Sequence, residues 1–444
     1  MNADILLTGI AQLVTPEGPG PKRGAAMGRL KIVPNAALAI AGGSILYAGP
    51  ARDWTGTSVT TIDLNGRAVV PGLVDPHTHA LWAGDRLADF DARLSGVPYE
   101  QILANGGGIW STIRATAAAS SRSLLAATRF RVQALLDSGA TTIEIKSGYG
   151  FTVAAELAHL RVLRELAHST PARIVPTLLI HVPPQDPARR AAHIDEVCTT
   201  LIPAVAAEQL ASAVDVFVEK EAWSAAEAET ILRVAQAHGL AVKLHTEQFH
   251  RVGGLELALR LGTLSVDHLE ACSSEQVTMF GTYSADAPEN VTDMGTNVSA
   301  VPGNATATGT TPPIATLLPG VSLHLGLPPA PGRALIDAGA AVAVGTDLNP
   351  GSSPLFSTAM ALALSVRLNG LKAQEALTAG TVNAACALGL ASAGRLEPGL
   401  PADFLVLHTA DWRDLLYPLG ANPVRDVWIC GNRVVTHAVE EPRA

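Results

Sequence analysis

The stretch over 70–79, VPGLVDPHTH, constrains this chain most, because an apolar run ends there in two closely spaced histidines. The apolar residues predict a short buried strand over 67–74, interrupted only by Pro71-Gly72. Successive side chains of a strand point to opposite faces, so we expect His77 and His79 to share one face. Two imidazoles on one face at the end of a buried strand predict a pair of metal ligands.

Other strand-like runs in the central part of the chain also end in a polar residue. The segments between them have helical spacing, as over 154–167 and 225–238. This repeated strand–helix order predicts the α/β class with a parallel sheet, and the span 70–391 suits a TIM-like (β/α)8 barrel. The polar residues at the predicted strand ends are His77, His79, His181, His245, His268 and Asp347.

Barrel enzymes collect their catalytic groups at the carboxyl ends of several strands. A metal site with three nitrogen ligands and one oxygen ligand is therefore predicted from His77, His79, His245 and Asp347. Such a set suits zinc or ferrous iron and leaves a coordination position for water. A metal lowers the pKa of bound water toward about 7 and so supplies hydroxide.

Both ends of the chain differ from this central part, since they contain short apolar runs divided by Gly and Pro. Gly42-Gly43 and Gly431-Asn432 indicate hairpins. We predict that residues 1–69 and 392–444 together form one small β-sandwich domain. Within the barrel, the polar, aperiodic segment 281–313 is predicted to be an inserted surface loop on the bottom face, away from the active site.

Composition excludes several classes of partner. A net charge of −9 without a basic run disfavours nucleic acid. The first residues lack the basic region of a signal peptide, and no apolar run reaches about 18 residues, so we expect no membrane association. The four cysteines show no pairing pattern, which predicts reduced thiols and a cytoplasmic location.

Several motifs resemble the amidohydrolase superfamily, namely PGLVDPHTH, the strand-end His245, HLE at 268–270 and TDLNPGSSP at 346–354. Longer stretches are similar to the imidazolonepropionase family of histidine degradation. They include GDRLADFDARLSGVPYEQILANGGGIWSTIRAT, TTIEIKSGYG and LPPAPGRALIDAG. The resemblance covers nearly the whole chain apart from 281–313.

The resemblance implies hydrolysis of the ring C–N bond of 4-imidazolone-5-propanoate, giving N-formimidoyl-L-glutamate. It implies one divalent or ferric metal ion per chain, zinc or iron, with Asp347 and His268 as catalytic residues. We expect a small-molecule substrate as the partner and leave a homodimer open. The substrate-binding residues implied by similarity are Arg86, Tyr149, His181, Gln248, Asn349, Gly351 and Ser352. Arg86 suits the propionate, because guanidinium binds carboxylate in a bidentate manner.

One departure from the family concerns position 248, which is often Glu and is Gln here. An amide can hydrogen-bond the substrate ring but is neither a general acid nor a general base, so the base role falls on Asp347. A ring deaminase is disfavoured, because it would need that Glu to shuttle protons. A non-catalytic scaffold is disfavoured because all four predicted ligands are present. Lys146 is also an alternative metal-bridging residue, if carboxylated, but the resemblance implies a single metal.

Overall fold

Eight short parallel strands alternating with helices form the central part of the chain. The computed structural model describes residues 1–98, 101–102, 105–282 and 312–437. Its eight-stranded sheet follows the chain order without exception. These strands are β5 (Leu73–Asp75), β6 (Ala140–Lys146), β7 (Arg173–Ile180), β8 (Ala213–Val218), β9 (Ala241–Thr246), β10 (Ser265–His268), β11 (Ile314–Leu317) and β12 (Val342–Val344). The predicted α/β barrel class is confirmed.

The helices surround this sheet, and their apolar faces pack against it. The predicted helices over 154–167 and 225–238 are confirmed within a residue or two, and the second starts with a Ser224/Glu227 capping box. The helices are α1 (Leu87–Leu94), α2 (Ile109–Ala118), α3 (Ser121–Asp137), α4 (Val153–Ala167), α5 (Arg190–Glu196), α6 (Ile202–Ala207), α7 (Ala225–Ala237), α8 (Gly254–Leu261), α9 (Ser274–Thr282), α10 (Pro319–Leu325), α11 (Gly332–Asp337), α12 (Thr358–Leu368), α13 (Ala373–Ala379) and α14 (Val382–Cys386).

The barrel closes where its first and last strands end. The Asp347 N–H donates to the His77 carbonyl at 2.9 Å, and the His79 N–H donates to the Leu348 carbonyl at 3.0 Å. Just below, the Thr346 hydroxyl donates to the buried Asp75 carboxylate at 2.7 Å. Three of the predicted metal ligands thus lie on the seam of the barrel, where backbone hydrogen bonds fix their spacing.

The remaining strands form a seven-stranded sheet from both chain ends, in the order β15-β14-β13-β4-β1-β2-β3. Its hairpin tips meet, since the Ala402 N–H donates to the Gly43 carbonyl at 2.9 Å and the Ile45 N–H donates to Leu400 at 2.8 Å. The sheet therefore curls around an apolar interior. Its strands are β1 (Asn2–Pro16), β2 (Leu30–Ala41), β3 (Ser44–Pro50), β4 (Thr57–Pro71), β13 (Phe404–Leu407), β14 (Val424–Ile429) and β15 (Asn432–Thr436).

The predicted single strand over 67–74 is wrong, because the chain changes sheet at Pro71-Gly72. Residues up to Pro71 belong to β4 of the seven-stranded sheet, whereas β5 of the barrel starts at Leu73. A Cβ at Gly72 would collide with the Thr141 side chain, so only glycine fits the crossing. The Gly72 N–H donates to the Asp403 carbonyl at 3.0 Å, so the chain enters and leaves the barrel at adjacent points.

The predicted surface loop over 281–313 lies almost wholly outside the described residues, and the division into domains at 69/70 and 391/392 stays a prediction. Within the described ranges, no helix has both the length and the apolar character needed to cross a membrane.

Candidate metal centre

Four predicted ligands lie together at the carboxyl end of the barrel. The ligand atoms of His77, His79 and His245 all lie within 4.8 Å of one another, and all three side chains are buried. The Asp347 Oδ1 atom lies 3.1 Å from His79 Nε2 and 3.3 Å from His77 Nε2. The Nε2 atoms of His79 and His245 are 3.4 Å apart. Three nitrogens and one carboxylate oxygen therefore converge on one point.

The polar atoms of these side chains lie close together but do not satisfy one another by hydrogen bonds, as expected of the ligands of a metal ion. His77 Nε2 and Asp347 Oδ1 are buried and form no hydrogen bond with any described residue, although they lie in contact. Buried polar atoms without partners are rare in folded proteins. Imidazole and carboxylate are the donors that bind zinc and iron. The unsatisfied atoms therefore indicate a site for a metal ion.

The backbone at the strand ends is strained where the site residues lie. His268 has a φ of 84° and Asp347 a φ of 50°, and Glu247, which precedes Gln248, has a φ of 55°. Positive φ is uncommon for residues with a Cβ and persists only where the surroundings hold it. The fold thus holds the backbone of these site segments in place at a local cost in backbone energy.

Two buried carboxylates orient two of the histidines from behind. His77 Nδ1 lies 2.7 Å from Asp267 Oδ2, and His245 Nδ1 lies 3.0 Å from Asp215 Oδ2. A carboxylate at Nδ1 favours the tautomer in which Nε2 carries the free lone pair. Asp267 therefore leaves Nε2 of His77 free to bind a cation, and Asp215 places a negative charge against the Nδ1 side of His245.

Two fully buried lysines neutralise these carboxylates. Lys146 Nζ lies 2.7 Å from Glu144 and 2.8 Å from Asp215, and Lys243 Nζ lies 2.7 Å from Glu144. Both ammonium groups lie just under 4 Å from Asp267. Since Lys146 is paired as an ammonium group with two carboxylates, the alternative of a carboxylated, metal-bridging Lys146 is not supported. We call Glu144, Lys146, Asp215, Lys243 and Asp267 the buried charge network.

The electrostatics of this network favour the charged forms of Lys146 and Asp215. Burial alone would lower the pKa of Lys146, but the surrounding carboxylates, Asp215 foremost, hold that pKa above its ordinary value. Burial would likewise raise the pKa of Asp215, but the attraction of Lys146 and Lys243 outweighs it and the pKa is lowered. Burial lowers the pKa of His245, which keeps that ring neutral and able to bind a cation.

Three predicted residues line the space next to the ligands. The His181 ring stacks on His79 with centroids 5.5 Å apart, and the Tyr149 ring lies 5.6 Å from His181. Burial, followed by repulsion from His79, lowers the pKa of His181 to about 3. The His268 ring lies 5.4 Å from His245. A small ligand bound next to these residues would meet imidazole rings and a phenol.

Arg86 lies at the start of α1, beside the loop that follows Asp347. Its Nε donates to Thr112 at 2.7 Å and its Nη1 donates to Asp89 at 2.8 Å. A Cβ placed on Gly351 would lie 3.7 Å from Arg86 Nη1, so the guanidinium borders the 349–353 loop. These partners fix the plane of the guanidinium, and none of the described residues accepts a hydrogen bond from Nη2.

The loop after Asp347 is built by Asn349. Its Oδ1 accepts from the Gly351 and Ser352 N–H groups, both at 2.8 Å, and its Nδ2 donates to the Asp347 carbonyl at 2.7 Å. The structure therefore uses the Asn349 side chain within its own loop. Its assignment to substrate binding, with those of Gly351 and Ser352, stays a prediction.

Gln248 is held near the site by its neighbours. The buried carboxylate of Glu219 accepts from the N–H groups of Phe249 at 2.9 Å and His250 at 3.2 Å. The Glu247 carboxylate accepts from the N–H of Gly254 at 3.1 Å. The backbone on both sides of Gln248 is thus anchored, and its side chain is largely buried.

Sequence reasoning missed the buried charge network, apart from Lys146. The missed residues share one signal, because each is a single charged residue inside an apolar strand sequence. Such a residue in a fully buried strand needs a charged partner. The missed residues and their strand sequences are Glu144 in TTIEI, Asp215 in AVDVFV, Lys243 in AVKL and Asp267 in LSVDH.

Comparison with known proteins identifies the family to which this chain belongs. The amidohydrolase family matches residues 68–434. The imidazolonepropionase of Deinococcus deserti is 57% identical over 97% of this chain and 100% of its own. That of Deinococcus radiodurans is 55% identical over 97% and 99%. Among solved structures, a zinc-bound adenosine deaminase from Xanthomonas campestris shares the fold, with a TM-score of 0.68, 18% identity and coverage of 98% and 93%.

Proposed function

We propose that this chain, which belongs to the amidohydrolase family and within it to the imidazolonepropionases, hydrolyses 4-imidazolone-5-propanoate. Water adds to the ring carbonyl carbon, the C–N bond of the cyclic amide breaks, and the leaving nitrogen takes a proton. The product is N-formimidoyl-L-glutamate. The reaction belongs to histidine degradation.

The residues that would hold the metal are His77, His79, His245 and Asp347. Zinc or iron bound there would polarise the ring carbonyl and lower the pKa of a bound water. His77 would bind the metal through Nε2 because its Nδ1 is hydrogen-bonded to Asp267, and Asp215 lies 3.0 Å from Nδ1 of His245, on the far side of that ring. The unsatisfied buried atoms of His77 and Asp347 support this assignment.

Asp347 and His268 carry the proton and charge chemistry in this proposal. Burial would raise the pKa of Asp347, but His77 and His79 hold it well below its usual range, so the carboxylate is ionised. An ionised carboxylate can accept a proton from the attacking water and return it to the leaving nitrogen. His268, buried beside His245, can donate a hydrogen bond to the developing oxyanion.

Substrate recognition is assigned to the residues around this centre. Arg86 pairs with the propionate carboxylate through the guanidinium edge that Thr112 and Asp89 leave open. Tyr149, His181 and Gln248 contact the imidazolone ring. The 349–353 loop, with Asn349, Gly351 and Ser352, lies next to Arg86 and completes the wall.

The observation that carries the proposal is the convergence of three imidazoles within 4.8 Å of one another, with the Asp347 carboxylate in contact with two of them, at the carboxyl end of the barrel. The test is a hydrolysis assay on 4-imidazolone-5-propanoate, with metal quantification on the same preparation. We expect one zinc or iron per chain and formation of N-formimidoyl-L-glutamate. A metal-loaded, folded protein that leaves this compound intact would refute the substrate assignment.

We also propose a cytoplasmic location, because the four cysteines are free thiols in the structure and the reaction belongs to small-molecule catabolism. The partner proposed here is a small molecule. A homodimer stays an open prediction.

A further inference from the structure

We propose that Glu156 is a positioning residue that holds Tyr149 against the active site. The inference rests on the proposed function, in which Tyr149 contacts the substrate. Glu156 lies in the first turn of α4, outside the metal centre, and nothing in the reaction requires its carboxylate. Its role is to fix the shape of the loop over 147–151, which links β6 to α4.

The Glu156 carboxylate is satisfied by the backbone of this loop. Its Oε2 accepts from the Gly148 N–H at 2.9 Å, and its Oε1 accepts from the N–H groups of Gly150 at 2.6 Å and Phe151 at 2.9 Å. The residue is 4% exposed, and no Lys or Arg in the described part of the chain forms an ion pair with it. A buried carboxylate that takes three backbone donors and no cation determines the path of those donors.

The loop has an unusual backbone that needs such support. Gly148 has a φ of 105° and Phe151, which has a Cβ, has a φ of 64°. A Cβ on Gly150 would lie 2.7 Å from the Glu156 N atom, so the loop lies directly against the start of α4. Conformations of this kind are unfavourable in isolation and persist only where other contacts hold them.

Tyr149 is the residue this arrangement fixes, because the donors to Glu156 flank it on both sides. Its side chain is 4% exposed, and its ring centroid lies 6.3 Å from that of the ligand His79. The other end of the loop is anchored at the site, since the Lys146 N–H donates to the Thr78 carbonyl at 2.9 Å. The start of the loop is thus hydrogen-bonded to Thr78, which lies between the ligands His77 and His79, and the rest of the loop is hydrogen-bonded to Glu156.

Two substitutions at Glu156 remove this support by different amounts. Glu156→Gln keeps the shape and one acceptor oxygen, but turns an NH₂ group toward one backbone N–H. Glu156→Leu removes every acceptor. Unsatisfied buried N–H groups are unfavourable, so we expect kcat/KM to fall roughly tenfold for Glu156→Gln and roughly a hundredfold for Glu156→Leu. The matched control is Glu165→Gln, on an exposed part of the same helix, which should stay within about twofold of the parent.

A double-mutant experiment distinguishes positioning of Tyr149 by Glu156 from a general contribution of Glu156 to the stability of the fold. If Glu156 acts through Tyr149, then adding Glu156→Gln to a Tyr149→Ala background should lower kcat/KM further by less than about twofold. A purely structural role would lower the melting temperature and leave the kinetics of fully folded protein unchanged. Multiplicative effects of the two substitutions on kcat/KM would overturn the proposal.

A second readout does not depend on the substrate. In protein carrying 3-fluorotyrosine, the Tyr149 fluorine signal is assigned by its loss in Tyr149→Phe, and we expect Glu156→Gln to shift or broaden it while the Tyr47 signal is unchanged. A Tyr149 signal identical to the parent's in folded Glu156→Gln would refute the proposal. If the parent protein does not hydrolyse 4-imidazolone-5-propanoate, the proposed function fails, and the fluorine signal still decides the role of Glu156. If Glu156→Leu does not fold, the Gln variant carries both readouts.

Discussion

The interior of the barrel and the interior of the seven-stranded sheet are built on different principles. At the carboxyl end of the barrel, five fully buried charged side chains form ion pairs with one another behind the histidines. The sheet encloses a cluster of apolar side chains that includes Ile10, Phe404 and Val406. Burial of apolar surface is sufficient to stabilise the sheet, whereas each charge in the barrel depends on a specific partner. The barrel interior should therefore be far less tolerant of substitution than the sheet interior.

The largest effect that would test this contrast is expected at the metal centre. Replacement His245→Ala should abolish both metal retention and turnover, because three remaining ligands hold a divalent ion weakly. The control is His238→Ala. His238 is an exposed histidine that directly follows α7 and is not a predicted ligand, so this variant should retain both metal and turnover. Metal content after dialysis and the rate of hydrolysis are the two measurements. Retention of one metal per chain by His245→Ala would remove this residue from the site.

The second prediction concerns the buried charge network. Lys243→Met leaves Glu144 and Asp267 with Lys146 as the nearby ammonium group, and loss of one partner of a buried ion pair costs roughly 3–5 kcal/mol. Urea unfolding, with the exposed Lys220→Met as the control, measures the change in the free energy of unfolding. A decrease in the free energy of unfolding below about 1 kcal/mol would show that the network tolerates the loss of one charged member, and it would weaken the contrast with the sheet.

The pH dependence sharpens the same prediction. Burial would raise the pKa of Asp267, but Lys243, followed by His77, holds it below its ordinary value. A lowered folded-state pKa stabilises the fold above the unfolded pKa, and this stability is lost as the pH falls through the folded value. In Lys243→Met the pKa of Asp267 should rise, so acid unfolding should begin at a higher pH than in the parent. An unchanged acid transition would contradict this electrostatic account.

The third prediction tests recognition at the top of the barrel. The propionate carboxylate keeps its charge throughout the reaction, so an arginine bound to it stabilises substrate and transition state about equally. Arg86→Met should raise KM strongly and lower kcat less, with a total loss of roughly 2–5 kcal/mol, or about 30-fold to several thousandfold in kcat/KM.

The controls for Arg86 separate recognition from folding. Arg122→Met changes an exposed arginine of α3 and should leave the kinetics unaltered. The parent should have a low kcat/KM on a substrate analogue without the carboxylate, and Arg86→Met should change that low value little. Equal losses on both substrates would mean that Arg86 does not bind the carboxylate.

The smallest effect is expected in the sheet. Ile10→Val removes one methylene from a side chain that is 1% exposed in the apolar interior and should cost about 0.5–1.5 kcal/mol of unfolding free energy. Because Ile10 lies in β1, outside the barrel, kcat and KM should equal those of the parent. A change in KM would show that the sheet influences the site and would break the separation between the two interiors.

The same contrast explains what could be predicted from the sequence. The ligands were identifiable because His77, His245 and Asp347 each follow a local apolar run, and the transition from apolar to polar is visible in one segment. The pairing of Lys146 with Asp215, by contrast, joins residues on different strands. Which strands face one another inside the barrel is a property of the closed sheet, so these partners could not be read from local patterns.

The change of sheet at Gly72 was missed for a related reason. Residues on both sides of Pro71-Gly72 are apolar and buried, so the run looks like one strand. Only the hydrogen-bonding partners differ, since β4 pairs with β1 and β13, whereas β5 pairs with β6. Similarly, nothing in the local sequence marks Glu156 as an acceptor for the backbone of the loop before it.

The hydrogen bond between Gly72 and Asp403 closes a long loop of the chain. It joins the two ends of the barrel segment, which is a loop of about 330 residues, and closing a flexible loop of that length costs roughly 5 kcal/mol of chain entropy. The pairing of β4 with β13 offsets this entropy cost, so the barrel segment between the two strands folds with its ends already held together. The terminal sheet therefore acts as a non-covalent cross-link, in a chain whose four cysteines form no disulfide.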